Sequence, residues 1–475
     1  MSWREALAPQ PMSRVAILSP MPALRAVLAR VADEGVVEFD RLTGPGEAAA
    51  NPTARLLRGL PAGSAEPRLA VAAPDLNALV EAGRIDLLAG EAQLAEYAGQ
   101  AVVRGHVAGL VGWTPTADVT ALCRRLGEIG GVAVELPLPR GTDPPTAIAT
   151  GRTSQAFGPL VTTYTTVPYA DVDPTLLAGL AYVVMFGAMF GDVGHGLLLA
   201  LIGVAIRWGL RWPRAVTKLR PHWMFITAAG VCAALFGLGY GEFFGPTGVV
   251  PVWWISPMDH PVPLLLGGIA LGVVLLGLAY ALGTINRVRE GGWSVALYAP
   301  SGLAGSLLFV ALGLAVPAWY LPSGWLAAAA VLSALLAIGL AFVGFWTAAG
   351  RGAGGVLQAV IEVFDMVLRL GSNIVSFARL AAFGLTHAVL GWIVWDATTG
   401  LWSAGPAGAV AAVAVFVVGN AFAFALEALV AAVQALRLEY YELFSRVFQT
   451  QGRPFQPWHI PLEQVPLERS ETEES

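Results

Sequence analysis

The sequence predicts a mainly α-helical, polytopic membrane protein, in which a cytoplasmic α/β domain precedes a bundle of eight membrane-spanning helices. Hydrophobic residues make up 56% of the 475 residues and charged residues only 13%. So few charges cannot cover the surface of a soluble protein of this size. The apolar residues are also unevenly spread, because residues 1–170 are mixed whereas 174–448 contain several long apolar runs. The second region is therefore predicted to lie in a membrane.

Residues 1–145 alternate strand-like and helix-like segments, which indicates the α/β domain. Strands are predicted at SRVAILSP, VVEFDRL, AVVRGHVAGLVGW and VAVELPLP. Helices are predicted at MPALRAVLARVADEG, LNALVEAGRIDLLAGEAQLAEYAGQ and DVTALCRRLGEIGG. Two small lobes with a short helical connector fit this pattern, and a single α/β domain fits it equally well. Residues 146–173 are predicted to be a linker.

Residues 174–450 are predicted to cross the membrane eight times. The loop 207–220 carries five Lys and Arg residues and is expected in the cytoplasm, as is the N-terminal domain, which has no signal-peptide pattern. The run 174–208 must then cross an even number of times, as a hairpin that turns at FGDVGHG, where glycines allow a tight turn. Along the rest of the chain, loops that contain Lys or Arg alternate with loops that contain neither, as expected for alternating cytoplasmic and outer loops. Both termini, including the tail 451–475, are therefore predicted to be cytoplasmic. The predicted spans are 174–190, 192–208, 222–243, 263–286, 295–319, 324–348, 355–398 and 405–448.

The last two of these spans are too long for a perpendicular crossing. Each would form a helix of about 66 Å, against a hydrocarbon core of about 30 Å. Each is therefore either steeply tilted and extended beyond the bilayer, or broken.

Ionisable residues concentrate on the same two spans. A charge within a span costs several kcal/mol and marks a functional candidate by default. Because a helix turns by about 100° per residue, five polar residues of the run 355–398 lie on one face and form a polar stripe. They are Asp365, Ser372, Ser376, Arg379 and His387. On the second helix, Glu427 and Gln434 share a face, and Arg437 lies one turn nearer the cytoplasm.

An arginine at mid-membrane would repel cations in a static channel, but it can attract a carboxylate that arrives from a partner and favour its ionised form. It can also form an electrostatic barrier between two half-paths for the ion, an inner one on the cytoplasmic side and an outer one on the opposite side. A structural alternative is a buried ion pair of Arg379 with Asp365 or Glu427 that only holds helices together. His387, Gln434 and the serines have a packing alternative as well.

Other residue patterns exclude two classes of site. Lys218 is the only lysine and no glycine precedes it, so no Walker A loop for ATP is expected. The two cysteines, Cys123 and Cys232, lie in different domains, which argues against a disulfide framework or a cysteine metal site. No metal or cofactor is expected.

Five stretches occur in order along the chain: DVDPT, FGAMFGDVGHG, GYGEFFG, SNIVSFARLAAFGLTHAVL and ALEALVAAVQALRLEYYELFSRVFQTQGRPFQP. Together they resemble the membrane subunit of V-type and A-type rotary ATPases, called subunit a in eukaryotes and subunit I in prokaryotes. The resemblance covers about 145–457 strongly and 12–140 more loosely. Members of this family usually have a much longer N-terminal domain, with an extended coiled coil that meets the peripheral stalks. In this sequence only residues of about 60–100 could form such a coiled coil.

The resemblance implies a stator without catalytic ATP chemistry, which forms two half-channels for H⁺ or Na⁺ against a rotating ring of proteolipid subunits. It implies peripheral-stalk and central-stalk subunits and membrane lipid as partners, no nucleic acid, and a prokaryotic plasma membrane. Arg379 matches the family's essential arginine and Arg437 its second arginine. Glu427 matches a buried glutamate, His387 a polar position of the proton path, and Asp365 an acid common in the family. The ion-translocation residues expected here are Arg379, Arg437, Glu427, His387, Asp365, Gln434 and Ser376.

Two other functions are compatible with part of this pattern. A self-contained secondary ion transporter could use the same buried charges, but such transporters usually contain two similar halves, and no convincing internal repeat is found. A purely structural anchor would leave the polar stripe on 355–398 unexplained.

Overall fold

The computed structural model describes residues 9–40, 53, 56–57, 66–138, 142–147, 152–208, 219–321, 323–350, 352–448 and 452–464. The chain divides into two compact units. One, the sheet unit, comprises Pro9–Ala147 together with the chain from Gly452 onward. The other, the helical unit, is built from Ile148–Gln451.

The sheet unit contains a five-stranded antiparallel sheet in the order β2-β5-β1-β6, with β4 paired to β5. The strands of the unit are β1 (Met12–Pro20), β2 (Glu38–Phe39), β3 (Leu69–Ala70), β4 (Val102–Arg104), β5 (Val107–Pro115), β6 (Val132–Leu136) and β7 (Leu462–Glu463). The helices that interrupt them are α1 (Leu24–Glu34), α2 (Leu76–Glu81), α3 (Ile85–Gln100) and α4 (Val119–Gly127). The strands of the unit β1-α1-β2 thus alternate in the sheet with those of the unit β5-α4-β6. This is the split βαβ arrangement. The strands predicted from the sequence, which fitted two lobes or one domain equally well, lie in one sheet.

Apolar faces of α1 and α4 supply the core of this unit. Val27, Leu28 and Val31 of α1 are fully or almost fully buried, as are Leu122 and Leu126 of α4. They recur at the spacing of one helix face, as expected for helices that cover a sheet. The helix α1 ends at Gly35, which adopts the left-handed conformation that favours glycine (φ 60°).

The described part of the C-terminal segment belongs to the sheet unit. The strand β7 pairs in parallel with β3, with Leu462 opposite Leu69. Trp458 is buried in the same core as α1, and its indole N–H donates to Gln93 (3.1 Å). The chain therefore closes this unit with residues that the sequence analysis had assigned to a cytoplasmic tail.

The helical unit makes the chain mainly α-helical. Its helices are α5 (Arg152–Tyr164), α6 (Thr175–Met189), α7 (Val193–Trp208), α8 (Trp223–Tyr240), α9 (Pro261–Tyr298), α10 (Leu303–Tyr320), α11 (Gly324–Ala348), α12 (Ala353–Ser376), α13 (Ala378–Trp402), α14 (Pro406–Leu438), a π-helical turn (Glu439–Phe444) and α15 (Ser445–Val447). Among the described residues, six helical stretches are long and apolar enough to cross a membrane. They are Arg220–Tyr240, Pro261–Tyr298, Leu303–Tyr320, Gly324–Ala348, Ala353–Trp402 and Pro406–Val447. The prediction of an integral membrane protein is confirmed at this level.

The run 174–208 forms two shorter apolar helices, α6 and α7, which are 15 and 16 residues long. The chain turns between them at Phe190–Asp192, inside the FGDVGHG motif. The turn thus lies where the glycines of the motif predict it.

The predicted loop 287–294 contains a break in α9. Gly291 and Gly292 have non-helical backbone angles, and Gly292 adopts a positive φ of 71°, so Pro261–Tyr298 consists of two helices that meet at a kink. The first helix extends through residues 287–290, and a short second helix precedes α10, which begins at Leu303. The break thus lies within the predicted loop, but the predicted span 295–319 begins before α10 does.

The two long runs deviate from single regular helices. The run 355–398 is divided at Phe377, whose backbone N–H bonds to the carbonyl of Ile374 (3.2 Å), three residues back. The Ser376 hydroxyl bonds to the carbonyl of Ser372, an arrangement that bends helices. Phe377 is fully buried and packs against Gly272, where a Cβ would lie 2.2 Å from the phenyl ring. The run 405–448 contains the π-helical turn after Leu438.

Candidate functional site

Buried ionisable side chains of the helical unit converge where α13 and α14 meet the α6–α7 turn and the end of α8. Five of them, each at most 9% exposed, are together named the His387 cluster: Asp192, His195, Glu242, His387 and Glu427. Only His387 and Glu427 of this cluster were expected from the sequence. Burial of charged groups costs free energy unless they are paired, so the contacts between these five side chains determine whether the cluster is stable.

The pair at its centre joins two helices. His387 on α13 contacts Glu427 on α14 through Nδ1 and Oε2. The other ring nitrogen, Nε2, lies 3.9 Å from Oε2 of Glu242. The imidazole therefore stands between two carboxylates from different elements. An imidazole can take up a proton on one nitrogen and release one from the other, so this arrangement suits proton relay.

Asp192 fixes the turn between α6 and α7. Its Oδ1 accepts a hydrogen bond from the backbone N–H of His195 (2.8 Å), and its Oδ2 accepts one from the backbone N–H of Gly245 (2.8 Å). The first bond caps the N-terminus of α7. The backbone N–H of Val193 also donates to the carbonyl of Glu242 (2.9 Å). These bonds hold the turn against the loop after α8, which brings Asp192 and His195 to the level of Glu242.

Close packing of α7 against α8 depends on glycine. A Cβ on Gly196 would lie 2.4 Å from the backbone nitrogen of Ala234, and a Cβ on Gly230 would lie 2.4 Å from that of Ala200. Small residues allow the backbones of membrane helices to approach this closely. The glycines of FGDVGHG therefore position the acid and the histidine of the same motif.

Aromatic rings enclose the cluster. The ring of Phe190 lies 5.2 Å from that of His387, and the rings of Phe244 and Phe424 lie 5.1 Å and 5.8 Å from that of His195. Rings in these positions exclude water, and charges interact more strongly in such surroundings than in water. The protonation of one cluster member therefore depends on that of its neighbours.

Arg379 lies in the first turn of α13, eight residues before His387. It is partly exposed, and its Nη1 is buried without a hydrogen-bond partner among the described residues. The structural alternative, a helix-pinning pair with Asp365 or Glu427, is not found. Asp365 pairs with Arg369 and Glu427 with His387. The guanidinium is thus not used by either acid.

A second polar group surrounds Glu442 in the π-helical turn. With its amide oriented so that the nitrogen faces Glu442, Asn373 of α12 donates to Oε2 of Glu442 (3.1 Å) and accepts from Nη2 of Arg446 (2.6 Å). Glu442 also lies within electrostatic range of Arg379 and Arg437. This buried carboxylate therefore faces three arginines, and it was not among the expected site residues.

The expected residues fall into separate places. Arg437 is exposed and lies within electrostatic range of Arg379. Asp365 is partly exposed and pairs with the exposed Arg369, outside the His387 cluster. Ser376 donates to its own helix, and Gln434 is partly buried with an Oε1 that has no partner among the described residues. The members of the predicted stripe therefore have different partners: Asp365 pairs with Arg369, Ser376 with the carbonyl of Ser372, and His387 with Glu427.

Sequence reasoning missed Asp192, His195, Glu242 and Glu442. The first three stand in FGDVGHG and GYGEFFG, which served to predict the hairpin turn and the family resemblance, although an acid and a histidine in the middle of a 35-residue apolar run were a signal in themselves. Glu242 follows an apolar helix directly and could have been found in the same way.

The sequence profile of the family described as "V-type ATPase 116kDa subunit family" matches residues 102–246 and 354–460, more than half of the chain. This chain belongs to that family. The first matched segment contains Asp192, His195 and Glu242, and the second contains Arg379, His387, Glu427 and Arg437. Both halves of the site thus lie in family segments.

Curated relatives of the 116 kDa subunit family are named "A-type ATP synthase subunit I". The protein from Pyrococcus horikoshii is 26% identical over 398 residues, which cover 81% of this chain and 58% of the relative. The protein from Archaeoglobus fulgidus is 28% identical over 408 residues, covering 74% and 58%. The chain from Halobacterium salinarum is 27% identical over 358 residues, covering 61% and 48%. The present chain thus spans less than two thirds of the length of these relatives.

Proposed function

We propose that this chain is the stator subunit of a V/A-type ATPase or ATP synthase, and that it forms the proton (or Na⁺) half-paths against a rotating proteolipid ring. The observation that carries the proposal is the arrangement along α13. Arg379, which neither Asp365 nor Glu427 pairs with, precedes the buried His387–Glu427 pair by eight residues. At a rise of about 1.5 Å per residue, these groups are about 12 Å apart along the helix.

The outer half-path runs through the His387 cluster. Asp192, His195 and Glu242 lead to His387 and Glu427, so that imidazole and carboxylate groups alternate. Each carboxylate can accept a proton from a neighbouring imidazole and return it. The inner half-path lies beyond Arg379, where Glu442 and Asn373 form the second polar group.

Arg379 separates the two half-paths. A ring carboxylate that approaches the guanidinium loses its proton, because a neighbouring positive charge favours the ionised form of an acid. An arginine stays charged throughout and so also prevents protons from leaking directly between the half-paths. Ions then cross only as the ring turns, which couples ion flow to rotation. ATP chemistry belongs to other subunits of the complex.

The membrane topology in this proposal has eight spans. The short helices α6 and α7 form a hairpin that adds two crossings to the six long stretches. Both termini lie in the cytoplasm, together with the Arg- and Lys-rich loop 207–220. In this orientation the His387 cluster faces the outer half of the bilayer and Glu442 the cytoplasmic half. The ring, the peripheral and central stalks, and lipid are the partners, and nucleic acid is not.

A self-contained secondary transporter is not favoured. The relatives carry the name of an ATP synthase subunit, and a transporter would have to open one binding site alternately to both sides without a ring.

The test is Arg379→Ala, with ATP-driven proton uptake measured in inverted membrane vesicles that contain the assembled complex. Uptake should fall to the background of uncoupled vesicles while the subunits still co-purify. The matched control is Arg369→Ala, because Arg369 is an exposed arginine on the preceding helix that pairs with Asp365. Uptake at the wild-type rate in Arg379→Ala vesicles would contradict the proposed role of this residue.

A further inference from the structure

We propose that the His387 cluster also binds a divalent transition-metal cation of the Zn²⁺ type. The cation would be held by His195, His387 and Asp192, with Glu242 completing the site. Binding requires only the cluster itself. The consequence for ion flow, given below, rests on the proposed function.

The distances between donor atoms carry the first part of the argument. One donor atom each from Asp192, His195 and His387 lie within 4.8 Å of one another. Nδ1 of His195 is 3.8 Å from Oδ1 of Asp192, and Nε2 of His387 is 3.9 Å from Oε2 of Glu242. In a tetrahedral zinc site with bonds of about 2.0–2.1 Å, donor atoms are about 3.4 Å apart. Side-chain adjustments of about 1 Å or less would therefore close the site.

His195 is the second donor residue of the proposed site. Its side chain is 2% exposed, and neither ring nitrogen makes a well-aligned hydrogen bond with a described residue. Asn420 is the polar residue that interacts with the ring, so a metal ion would replace Asn420 as the partner of a ring nitrogen. Its neighbour Asp192 points Oδ1 to the same place.

His387 is oriented as a metal ligand would be. Contact of Nδ1 with Glu427 favours the tautomer that leaves Nε2 without a proton and directed toward Glu242. A carboxylate that holds the far nitrogen of a histidine is the usual second layer of a zinc site. Glu427 thus acts as the positioning residue rather than as a ligand.

The charge of the cluster favours a dication. It contains three carboxylates, and within the described part of the helical unit their ion pairs are with histidine and not with arginine. A divalent cation would compensate this negative charge in surroundings from which Phe190, Phe244 and Phe424 exclude water. Two imidazole donors select a transition metal over Mg²⁺ or Ca²⁺, which prefer oxygen ligands alone.

A bound cation would block the outer half-path. Nε2 of His387 and a carboxylate oxygen of Asp192 would be occupied by metal and could no longer exchange protons. Zn²⁺ reaching the cluster from the outer side would therefore stop proton uptake without affecting ATP binding.

Binding is tested on the purified chain in detergent, stripped with a chelator and dialysed against Zn²⁺, with bound metal counted by mass spectrometry. The wild type should bind one Zn²⁺ per chain, and X-ray absorption should report nitrogen and oxygen ligands. His195→Ala and the more conservative His195→Gln should each bind at least about tenfold more weakly. His260→Ala is the matched control, because His260 is an exposed loop histidine, and it should bind as the wild type does. Equal binding by the wild type and both His195 variants would overturn the site.

The link to ion flow is tested separately in inverted vesicles, with Zn²⁺ trapped inside and a chelator outside to protect the ATP. Zn²⁺ should inhibit uptake by wild-type and His260→Ala vesicles at the concentration that fills the site. Stoichiometric binding without inhibition would support the site and overturn its place on the outer half-path. Failure to bind would overturn the site but leave the stator function, which the Arg379→Ala test decides on its own.

Discussion

His387 and Glu427 come from two different helices, and their side chains pair inside the helical unit, where both are almost completely buried. The pair connects α13 to α14 at a point where Glu242 approaches the other side of the imidazole. Removing either partner leaves an uncompensated polar group, and this makes the pair sensitive to substitutions that keep its shape.

Glu427→Gln keeps the size of the side chain but removes the carboxylate that holds Nδ1 of His387. We expect ATP-driven proton uptake to fall at least about tenfold, because a relay group is lost. Asp396→Asn is the matched control, since Asp396 is an exposed acid on α13, and it should change uptake less than about twofold. Uptake in Glu427→Gln vesicles that equals the control would remove Glu427 from the path.

Gly196→Ala tests the packing that positions Asp192 and His195. The added Cβ would lie 2.4 Å from a backbone nitrogen of α8, which cannot move aside as a side chain could. Overpacking of this kind costs about 1–3 kcal/mol, so the thermal midpoint of the purified chain in detergent should fall. Gly313→Ala on α10 adds the same methyl group where no atom lies within 4 Å and should not lower it. Equal midpoints for the two variants would mean that α7 and α8 can separate freely.

Asp171, in the segment before α6, predicts a pH dependence of stability. Burial, together with the neighbouring carboxyl of Glu290, raises the pKa of Asp171 from 3.8 to about 7, despite the nearby Arg287 and Arg289. The folded protein therefore binds a proton that the unfolded chain releases between pH 4 and 7. Stability should fall as pH rises through this window and level off above pH 7, by a few kcal/mol at most.

The measurement for Asp171 is the thermal midpoint of wild type and Asp171→Asn at pH 5 and pH 8. The variant should lose most of the difference between the two pH values and should be the more stable protein at pH 8. The same substitution at the exposed Asp259 should leave the wild-type dependence intact. An unchanged pH dependence in Asp171→Asn would refute the assignment.

Trp458→Ala tests the contribution of the C-terminal segment to the sheet unit. The indole is buried, packs 4.5 Å from the ring of Tyr97 and donates to Gln93. Its removal should cost about 3–5 kcal/mol, as for other buried aromatic side chains. Limited proteolysis should then cleave the sheet unit faster. Val103→Ala, at an exposed position of β4, should leave the cleavage rate unchanged.

Much of the secondary structure follows from local pattern. Apolar runs long enough for a membrane predicted the helices of the helical unit, and alternating segments predicted β1, α1, β5 and α4 close to where they are found. The break at Phe377 and the start of α10 at Leu303 rather than at residue 295 were not predicted. The first accompanies a hydroxyl that bonds to its own helix, and the second follows a short helix after the kink at Gly291 and Gly292. A count of apolar residues registers neither feature.

The candidate site was predicted only where it lies on two charged helices. His387 and Glu427 were found because a charge in an apolar run is conspicuous, but their pairing was not. Asp192 and Glu242 join them through contacts between distant parts of the chain, such as the bond from the Gly245 N–H to Asp192 across 53 residues. Sequence spacing cannot predict proximity that arises from helix packing.

The ion pair between Arg68 and Glu463 joins residues 395 positions apart within one unit. A ribosome adds about 5–20 residues per second, so about 20 to 80 s separate the synthesis of these two residues. Throughout that interval β3 has no β7 beside it, and the core around α1 lacks Trp458. The early part of the sheet unit must therefore persist incomplete while the whole helical unit is made. A nascent chain that stalls within α14 leaves this core open to chaperones and proteases.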